Sequence, residues 1–186
     1  MLQTALLIVD VQNDFLKPEG KYYVRPDRAF IPNVKRLLEA ARKNGVPAIF
    51  TQDTQMDDPE YSNDVEWNGA HCIKGTWGWQ IVDELSPRDD ERVVKKREYS
   101  GMYRTSLDTI LKASGIRHLV IAGATTNCCV RATIQDAFER GYSISVPREC
   151  VVSPTKRENE SNLKDIKTFF GKVVPMKEAI STFSKN

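Results

Sequence analysis

The chain has 186 residues, of which 40% are hydrophobic and 28% charged, with a formal net charge of +2. This is the size of one ordinary domain, so we predict a single domain over residues 1–186. The balanced charge indicates neither disorder nor a nucleic-acid partner, and the longest apolar runs fall far short of the roughly 20 residues of a membrane-spanning helix. We expect a cytoplasmic protein without membrane contact.

The first half of the chain alternates between strand and helix patterns. Residues 4–11 form an apolar run typical of a buried strand, and residues 46–52 and 92–96 repeat it. Between the first two runs, residues 29–45 show helical periodicity and end at Gly45. Residues 53–80 are rich in Asp, Asn, Gly and Trp and show no clear periodicity, which indicates a functional loop.

The second half continues the alternation. The pattern predicts helices over 105–115, capped by Thr105, and over 127–141, with Phe138 among its inward residues. Strands follow at 116–123 and 142–147, and the tail predicts a helix over 158–171, an edge strand at 172–175 and a helix over 176–185. Continuously apolar strands alternating with helices indicate a three-layer α/β/α sandwich with a mostly parallel, Rossmann-like central sheet.

Four cysteines are too few for a disulfide-based scaffold, and their spacing matches no zinc pattern. Two of them, Cys128 and Cys129, are adjacent. Adjacent Cα atoms lie about 3.8 Å apart, below the usual disulfide range of roughly 4.4 to 6.8 Å, so a bridge between them would be strained. We therefore expect free thiols.

Three reactive side chains stand at predicted strand ends. Asp10 ends the first strand, Lys96 ends the strand at 92–96, and Cys129 follows the strand at 116–123 by one short turn. Sites in open α/β sheets form at the carboxyl ends of strands, so these groups are expected to meet at one edge. Each also has a structural interpretation: a turn residue for Asp10, a solvated charge for Lys96 and a small buried side chain for Cys129.

If Asn127 caps the helix over 127–141, Cys129 lies in its first turn, where the helix dipole favours an anion. That position predicts a thiol with a lowered pKa. Amide groups of the same turn would bind the oxyanion of a tetrahedral intermediate. Asp10 would then transfer the thiol proton to the leaving group, while Lys96 pairs with both charges.

Four blocks of the sequence, at 6–15, 71–85, 95–111 and 123–142, resemble the isochorismatase-like cysteine hydrolase superfamily. The family includes nicotinamidases, N-carbamoylsarcosine amidohydrolase and ureidoacrylate amidohydrolase, and the blocks stand here in the family's order. The resemblance implies a catalytic triad of Asp10, Lys96, which stands four residues before Ser100, and Cys129, which precedes Val130. It thereby selects Cys129 over Cys128 as the nucleophile.

The resemblance also implies a cis peptide between Ala124 and Thr125, with the N–H groups of Thr125 and Cys129 forming the oxyanion hole. Gln12 and Asn127 are candidate hydrogen-bonding partners of the substrate. A turn residue and a helix cap are their respective structural interpretations.

The sequence departs from the family at the metal site. Nicotinamidases of the family bind a divalent ion through an Asp-x-His pair and further histidines, and the matching stretch here is Asp53 followed by Gln55. His71 does match a ligand position, but Asp53 and His71 fall short of the three protein ligands of a catalytic zinc site. We therefore expect no metal cofactor, with zinc as the disfavoured alternative.

The predicted function is cleavage of a C–N bond in a small amide or carbamoyl compound through a thioester acyl-enzyme. Alternatives are metal-assisted deamidation of the nicotinamidase kind, vinyl-ether hydrolysis of the isochorismatase kind, and a thiol redox or sensing protein using Cys128 and Cys129. The partner is thus a small molecule, and the resemblance implies a homodimer or homotetramer.

Overall fold

A seven-stranded sheet forms the centre of the computed structural model, which describes residues 3–56 and 63–184. Its strands are β1 (Gln3–Val9), β2 (Ala48–Asp53), β3 (Arg92–Lys96), β4 (Ile116–Ala124), β5 (Ser143–Pro147), β6 (Val151–Val152) and β7 (Lys172–Val174). The order is β3-β2-β1-β4-β5-β7, and the two-residue β6 pairs with the end of β4. All six strand pairings are parallel, so the carboxyl ends share one edge.

Helices connect the strands. The described helices are α1 (Asn13–Leu16), α2 (Phe30–Lys43), α3 (Asn63–Asn68), α4 (Leu107–Ala113), α5 (Arg131–Glu139), α6 (Lys156–Phe169) and α7 (Met176–Phe183). Thr155 begins α6 with a capping box, accepting from the Glu158 N–H while the Glu158 carboxylate accepts from the Thr155 N–H. Within the residues described, no helix combines the length and apolarity needed to cross a lipid bilayer.

The two faces of the sheet pack against different helices. Leu6 and Ile8 of β1 point to the face covered by α2 and α7, and Leu7 and Val9 point to the face covered by α4, α5 and α6. The arrangement confirms the predicted three-layer α/β/α sandwich with a Rossmann-like parallel sheet.

Two local predictions needed correction, and one short strand was not predicted. Phe138 was predicted to face inward, but its side chain is 45% exposed and packs edge to face on Phe170, with ring centroids 5.8 Å apart. The sheet-facing stripe of α5 is already filled by Thr133, Ile134 and Ala137. In addition, α3 lies within the segment predicted to be a loop, and β6 is too short to leave a sequence pattern.

Candidate active site

The site lies where the strand order reverses. β1 leads to β2 on one side and pairs with β4 on the other, and side chains that leave these strands meet at the carboxyl edge. Asp10 follows β1 directly in a left-handed conformation with φ of 48°, which Asp tolerates better than most residues. Beside it, Gly123 of β4 has φ of 125°, and a Cβ atom there would lie 2.1 Å from the Val9 carbonyl oxygen. The close approach of β1 and β4 therefore requires glycine.

Asp10 and Lys96 form a buried ion pair. The Lys96 Nζ lies 2.8 Å from the Asp10 Oδ2, and both side chains are almost fully excluded from solvent. The ammonium also donates to the Glu98 carbonyl at 2.9 Å, and the Thr51 hydroxyl donates to the Asp10 Oδ1 at 2.7 Å. Each charged group is thus held by a second hydrogen bond, as a buried pair requires.

Cys129 completes the cluster from the connection between β4 and α5. Its Sγ lies 3.6 Å from the Lys96 Nζ, so the structure brings all three predicted catalytic residues together. Residues 126–130 form one turn of π-helix, in which the Val130 N–H donates to the Thr125 carbonyl at 3.1 Å. Thr125, rather than Asn127, is therefore the residue before the first turn, which corrects the predicted helix cap. The peptide bond between Ala124 and Thr125 is cis.

The charge of the cluster differs from the prediction of a lowered thiol pKa. A hydrogen bond with Cys128, together with burial and the Asp10 carboxylate, raises the pKa of Cys129 well above its usual value, against the effect of Lys96. Burial likewise raises the pKa of Asp10, while the carboxylate holds the pKa of Lys96 well above its usual range. One cation, Lys96, faces two acids, so ionisation of both Asp10 and Cys129 is disfavoured, which predicts that the two groups share one proton.

A small pocket of about 170 Å³ opens above the thiol. Thr125, Asn127 and Cys129 all line it. A substrate in the pocket would therefore lie beside Asn127 and beside the two residues of the predicted oxyanion hole, Thr125 and Cys129. The rest of the lining includes four aromatic rings, those of Phe15, Tyr22, His71 and Tyr99. The volume is below the roughly 300 Å³ at which drug-sized ligand sites begin, so the pocket suits a small molecule.

Gln12, a predicted substrate contact, is hydrogen bonded within the protein. Its side chain is fully buried, its amide nitrogen donates to the carbonyls of Asp53 and Trp79 at 2.8 Å each, and its amide oxygen accepts from the Asp53 N–H at 2.8 Å. The amide is used to join β2 to the segment around Trp79. Both amide hydrogens are thereby used, which leaves the second lone pair of the amide oxygen as the remaining hydrogen-bonding position.

The two candidate metal ligands, Asp53 and His71, lie close together and already contact other protein groups. The Asp53 Oδ2 lies 3.1 Å from the His71 Nε2, and the His71 Nδ1 lies 2.8 Å from the Gly69 carbonyl oxygen. The Asp53 Oδ1 accepts a hydrogen bond of 2.7 Å from the Gln55 amide. Both side chains are thus engaged by protein groups, and the described residues contain no group of three His, Cys, Asp or Glu side chains placed to hold a metal ion.

The sequence did not indicate the role of Thr51 or the hydrogen bond between Cys128 and Cys129. Thr51 is the register partner of Val9, so its place beside the residue that follows β1 was encoded in the strand pairing. In the sequence, the sign of this role was a hydroxyl-bearing residue that directly follows the apolar part of the strand, residues 48–50. Cys128 is half-buried and lines the same pocket as Cys129.

A parallel α/β/α sandwich with a buried acid, amine and thiol at its switch point defines a hydrolytic enzyme. The isochorismatase domain model matches residues 4–178, and the chain therefore belongs to the isochorismatase family. A curated relative, the ureidoacrylate amidohydrolase RutB of Acinetobacter baylyi, is 31% identical over 208 aligned positions, covering 99% of this chain and 85% of RutB.

Solved structures agree with this assignment. An isochorismatase-like hydrolase from Alkaliphilus metalliredigens superposes with a TM-score of 0.91 at 30% identity, covering 97% of this chain and 99% of the other. N-carbamoylsarcosine amidase from Thermoplasma acidophilum gives 0.82 at 29% identity, covering 94% and 97%. The chain is thus similar over nearly its whole length to hydrolases of this family.

Proposed function

We propose that the protein is a cysteine-dependent amidohydrolase that cleaves the C–N bond of a small amide or carbamoyl compound. The observation that carries the proposal is the buried cluster in which the Lys96 ammonium lies 2.8 Å from the Asp10 carboxylate and 3.6 Å from the Cys129 sulfur. Similarity to RutB and to N-carbamoylsarcosine amidase supports the choice of a C–N bond, and ureidoacrylate is the first substrate to test.

In the first half of the reaction the Cys129 sulfur attacks the substrate carbonyl carbon while the thiol proton passes to Asp10. The carbonyl oxygen becomes an oxyanion, for which the N–H groups of Thr125 and Cys129 are the proposed donors. The C–N bond then breaks, and Asp10 returns its proton to the departing nitrogen. Ammonia or an amine leaves, and the acyl group remains on the sulfur as a thioester.

In the second half a water molecule attacks the thioester, with Asp10 now taking a proton from the water. The C–S bond breaks, the acid product leaves and the thiol is regenerated with the proton from Asp10. Lys96 stays charged throughout and compensates whichever of the two acids is ionised. The shared proton of the resting cluster is therefore the proton that the reaction transfers.

The test measures ammonia release from ureidoacrylate, N-carbamoyl amino acids, simple amides and nicotinamide, with isochorismate followed by its own product. The expected result is turnover of a carbamoyl or amide compound by the wild type and by Cys128→Ala, and none by Cys129→Ala. Cys128→Ala is the matched control because both thiols line the pocket. Mass spectrometry of quenched reactions should show the acyl group on Cys129.

Other outcomes would remove the proposal. Equal activity of Cys129→Ala and the wild type would exclude the thiol as nucleophile. Turnover of isochorismate alone would support vinyl-ether hydrolysis instead. A quantitative disulfide between Cys128 and Cys129 that switches a binding activity would support the redox alternative, although both are free thiols here.

A further inference from the structure

Thr51 is the one neutral side chain that hydrogen bonds to the Asp10 carboxylate within the described residues. It is fully buried on β2, its hydroxyl donates to the Asp10 Oδ1 at 2.7 Å, and its carbonyl accepts from the Asp10 N–H at 3.2 Å. Lys96 occupies the other carboxylate oxygen. Since a carboxylate has about four acceptor positions, these two donors fix its plane and leave lone pairs for a thiol proton.

The methyl group of Thr51 is fixed as closely as its hydroxyl. A Cβ atom added to Gly101 would lie 2.7 Å from the Thr51 Cγ2, so the loop after β3 packs directly on this methyl. Gly101 cannot move away easily, because its N–H donates to the Thr133 hydroxyl at 2.9 Å and its carbonyl accepts from the Thr105 hydroxyl at 2.5 Å. Thr133 belongs to α5, the helix that follows the nucleophile.

These contacts form one continuous path from the acid to the nucleophile's helix. We propose that Thr51 is the positioning residue of Asp10, with its hydroxyl orienting the carboxylate toward Cys129 and its methyl, held by Gly101, fixing the rotamer of that hydroxyl. The role in turnover rests on the proposed function, whereas the effect on Asp10 and Cys129 does not. Thr51 itself is not among the residues that line the pocket.

The first experiment compares Thr51→Val, which keeps the shape and removes the hydroxyl, with Thr51→Ser, which keeps the hydroxyl. Hydrogen bonds to charged groups are typically strong enough that the Val variant should lose about tenfold or more in kcat with little change in KM. Because the Thr51 hydrogen bond lowers the pKa of Asp10, its loss should move the acid limb of the kcat profile to higher pH. The Ser variant should keep the wild-type acid limb.

A second readout needs no substrate. The rate of Cys129 carboxamidomethylation by iodoacetamide, followed by peptide mass spectrometry, should rise with pH through an inflection set by the shared proton. In Thr51→Val the carboxylate is less favoured and more of the Lys96 charge is left to the sulfur, so this inflection should move to lower pH, opposite to the acid limb. If no amide is turned over but the inflection moves, the proposed function fails and the positioning role stands.

The second experiment uses the contact with Gly101. Gly101→Ala should reduce kcat about tenfold or more, because the new Cβ displaces the Thr51 methyl, whereas the double variant Thr51→Ser with Gly101→Ala should recover most of the activity. The nearest other atoms to that Cβ, on Leu107 and Thr133, are 3.4 and 3.5 Å away and allow it. Thermal unfolding of each variant verifies the fold.

Two results would overturn the proposal. One is a Thr51→Val variant that folds and keeps the wild-type kcat, acid limb and alkylation profile. The other is a double variant no more active than Gly101→Ala alone, which shows that the methyl contact does not transmit the effect. The second comparison remains decisive if Thr51→Val fails to fold.

Discussion

The ammonium of Lys96 lies 3.6 Å from the sulfur of Cys129 and is the cation nearest to it in the cluster. The same ammonium is paired with Asp10 at 2.8 Å, so a second anion on the sulfur would be only partly compensated. The pKa of the Cys129 thiol is accordingly raised by its surroundings. Its activation depends on moving a proton to the neighbouring carboxylate when the substrate carbonyl is in place.

Replacing Asp10 by Asn should make the thiol more acidic while abolishing turnover. The carboxylate raises the pKa of Cys129, and without it the Lys96 charge is free to stabilise the thiolate. We expect the pH profile of Cys129 alkylation to move to lower pH in Asp10→Asn, with ammonia release at least about a hundredfold lower, as expected for loss of general acid–base catalysis. Peptide mass spectrometry reports Cys129 separately from the other thiols.

The remaining cysteines provide the internal control for that measurement. Burial raises the pKa of Cys150 to about 12, and burial likewise raises the pKa of Cys72, so both should stay unmodified near neutral pH in either protein. An alkylation profile that is unchanged, or displaced to higher pH, in Asp10→Asn would contradict the shared-proton interpretation.

Removing the lysine should destabilise the fold more than removing the whole pair. Lys96→Met leaves the Asp10 carboxylate buried without its cation, which typically costs about 3 to 5 kcal/mol, whereas Asp10→Asn combined with Lys96→Met leaves no uncompensated charge. Urea unfolding at neutral pH measures the free energy of unfolding of the single and the double variant. A double variant as unstable as Lys96→Met alone would show that the uncompensated charge is not the cause.

Much of the site was predictable because strand ends can be read from the sequence. Asp10 and Lys96 terminate apolar runs, and Cys129 follows one, so a parallel sheet was enough to expect them at one edge. The exact start of the helix at Cys129 was not predictable. The start of the helix at Cys129 depends on a π-type hydrogen bond from Val130 to Thr125, and nothing in the local sequence distinguishes that turn from an α-helix begun at Asn127.

Charge and side-chain partners were beyond the sequence for a different reason. The pKa of Cys129 is raised by a hydrogen bond with Cys128, whose geometry the fold sets, and by burial and Asp10. These outweigh Lys96 and the local effect of a helix start. Gln12 looked available for a substrate because its backbone partners, around Asp53 and Trp79, come from segments 41 and 67 residues away. The folded structure therefore determines both the pKa of Cys129 and the hydrogen-bond partners of Gln12.

Chelation should leave the proposed activity unchanged. The Asp53 carboxylate accepts from Gln55 and faces His71, and the His71 ring also contacts the Gly69 carbonyl, so the described residues do not offer three open ligands. Turnover of the active amide should be the same before and after dialysis against a chelator. The control is Gln55→His, which restores the Asp-x-His pair and should bind added zinc more tightly than the wild type. Activity that is lost on dialysis and restored by zinc would contradict the prediction.

The final prediction concerns stability and uses the pair that joins α2 to the segment before β3. Arg42 donates to both Glu91 carboxylate oxygens, at 2.8 and 2.7 Å, and the Glu91 side chain is only 8% exposed. Although burial acts to raise it, hydrogen bonds from Arg42 and from the Arg88 N–H lower the pKa of Glu91 below its usual value. A group whose pKa is lower in the folded state stabilises the fold above its unfolded pKa, and the contribution is lost as the pH falls through the folded value.

Glu91→Gln should therefore reduce the free energy of unfolding by about 1.5 to 3 kcal/mol near neutral pH, the range for hydrogen bonds to a charged group. The difference in unfolding free energy between the variant and the wild type should be constant above a pH of about 5. It should disappear as the pH falls below the usual glutamate pKa of about 4.3. Urea unfolding in steps from neutral to acid pH measures it. Glu84→Gln is the matched control, because Glu84 pairs with Lys17 on an exposed surface where such pairs contribute little. A difference at Glu91 that persists undiminished in acid would show that packing, and not the ionised carboxylate, is responsible.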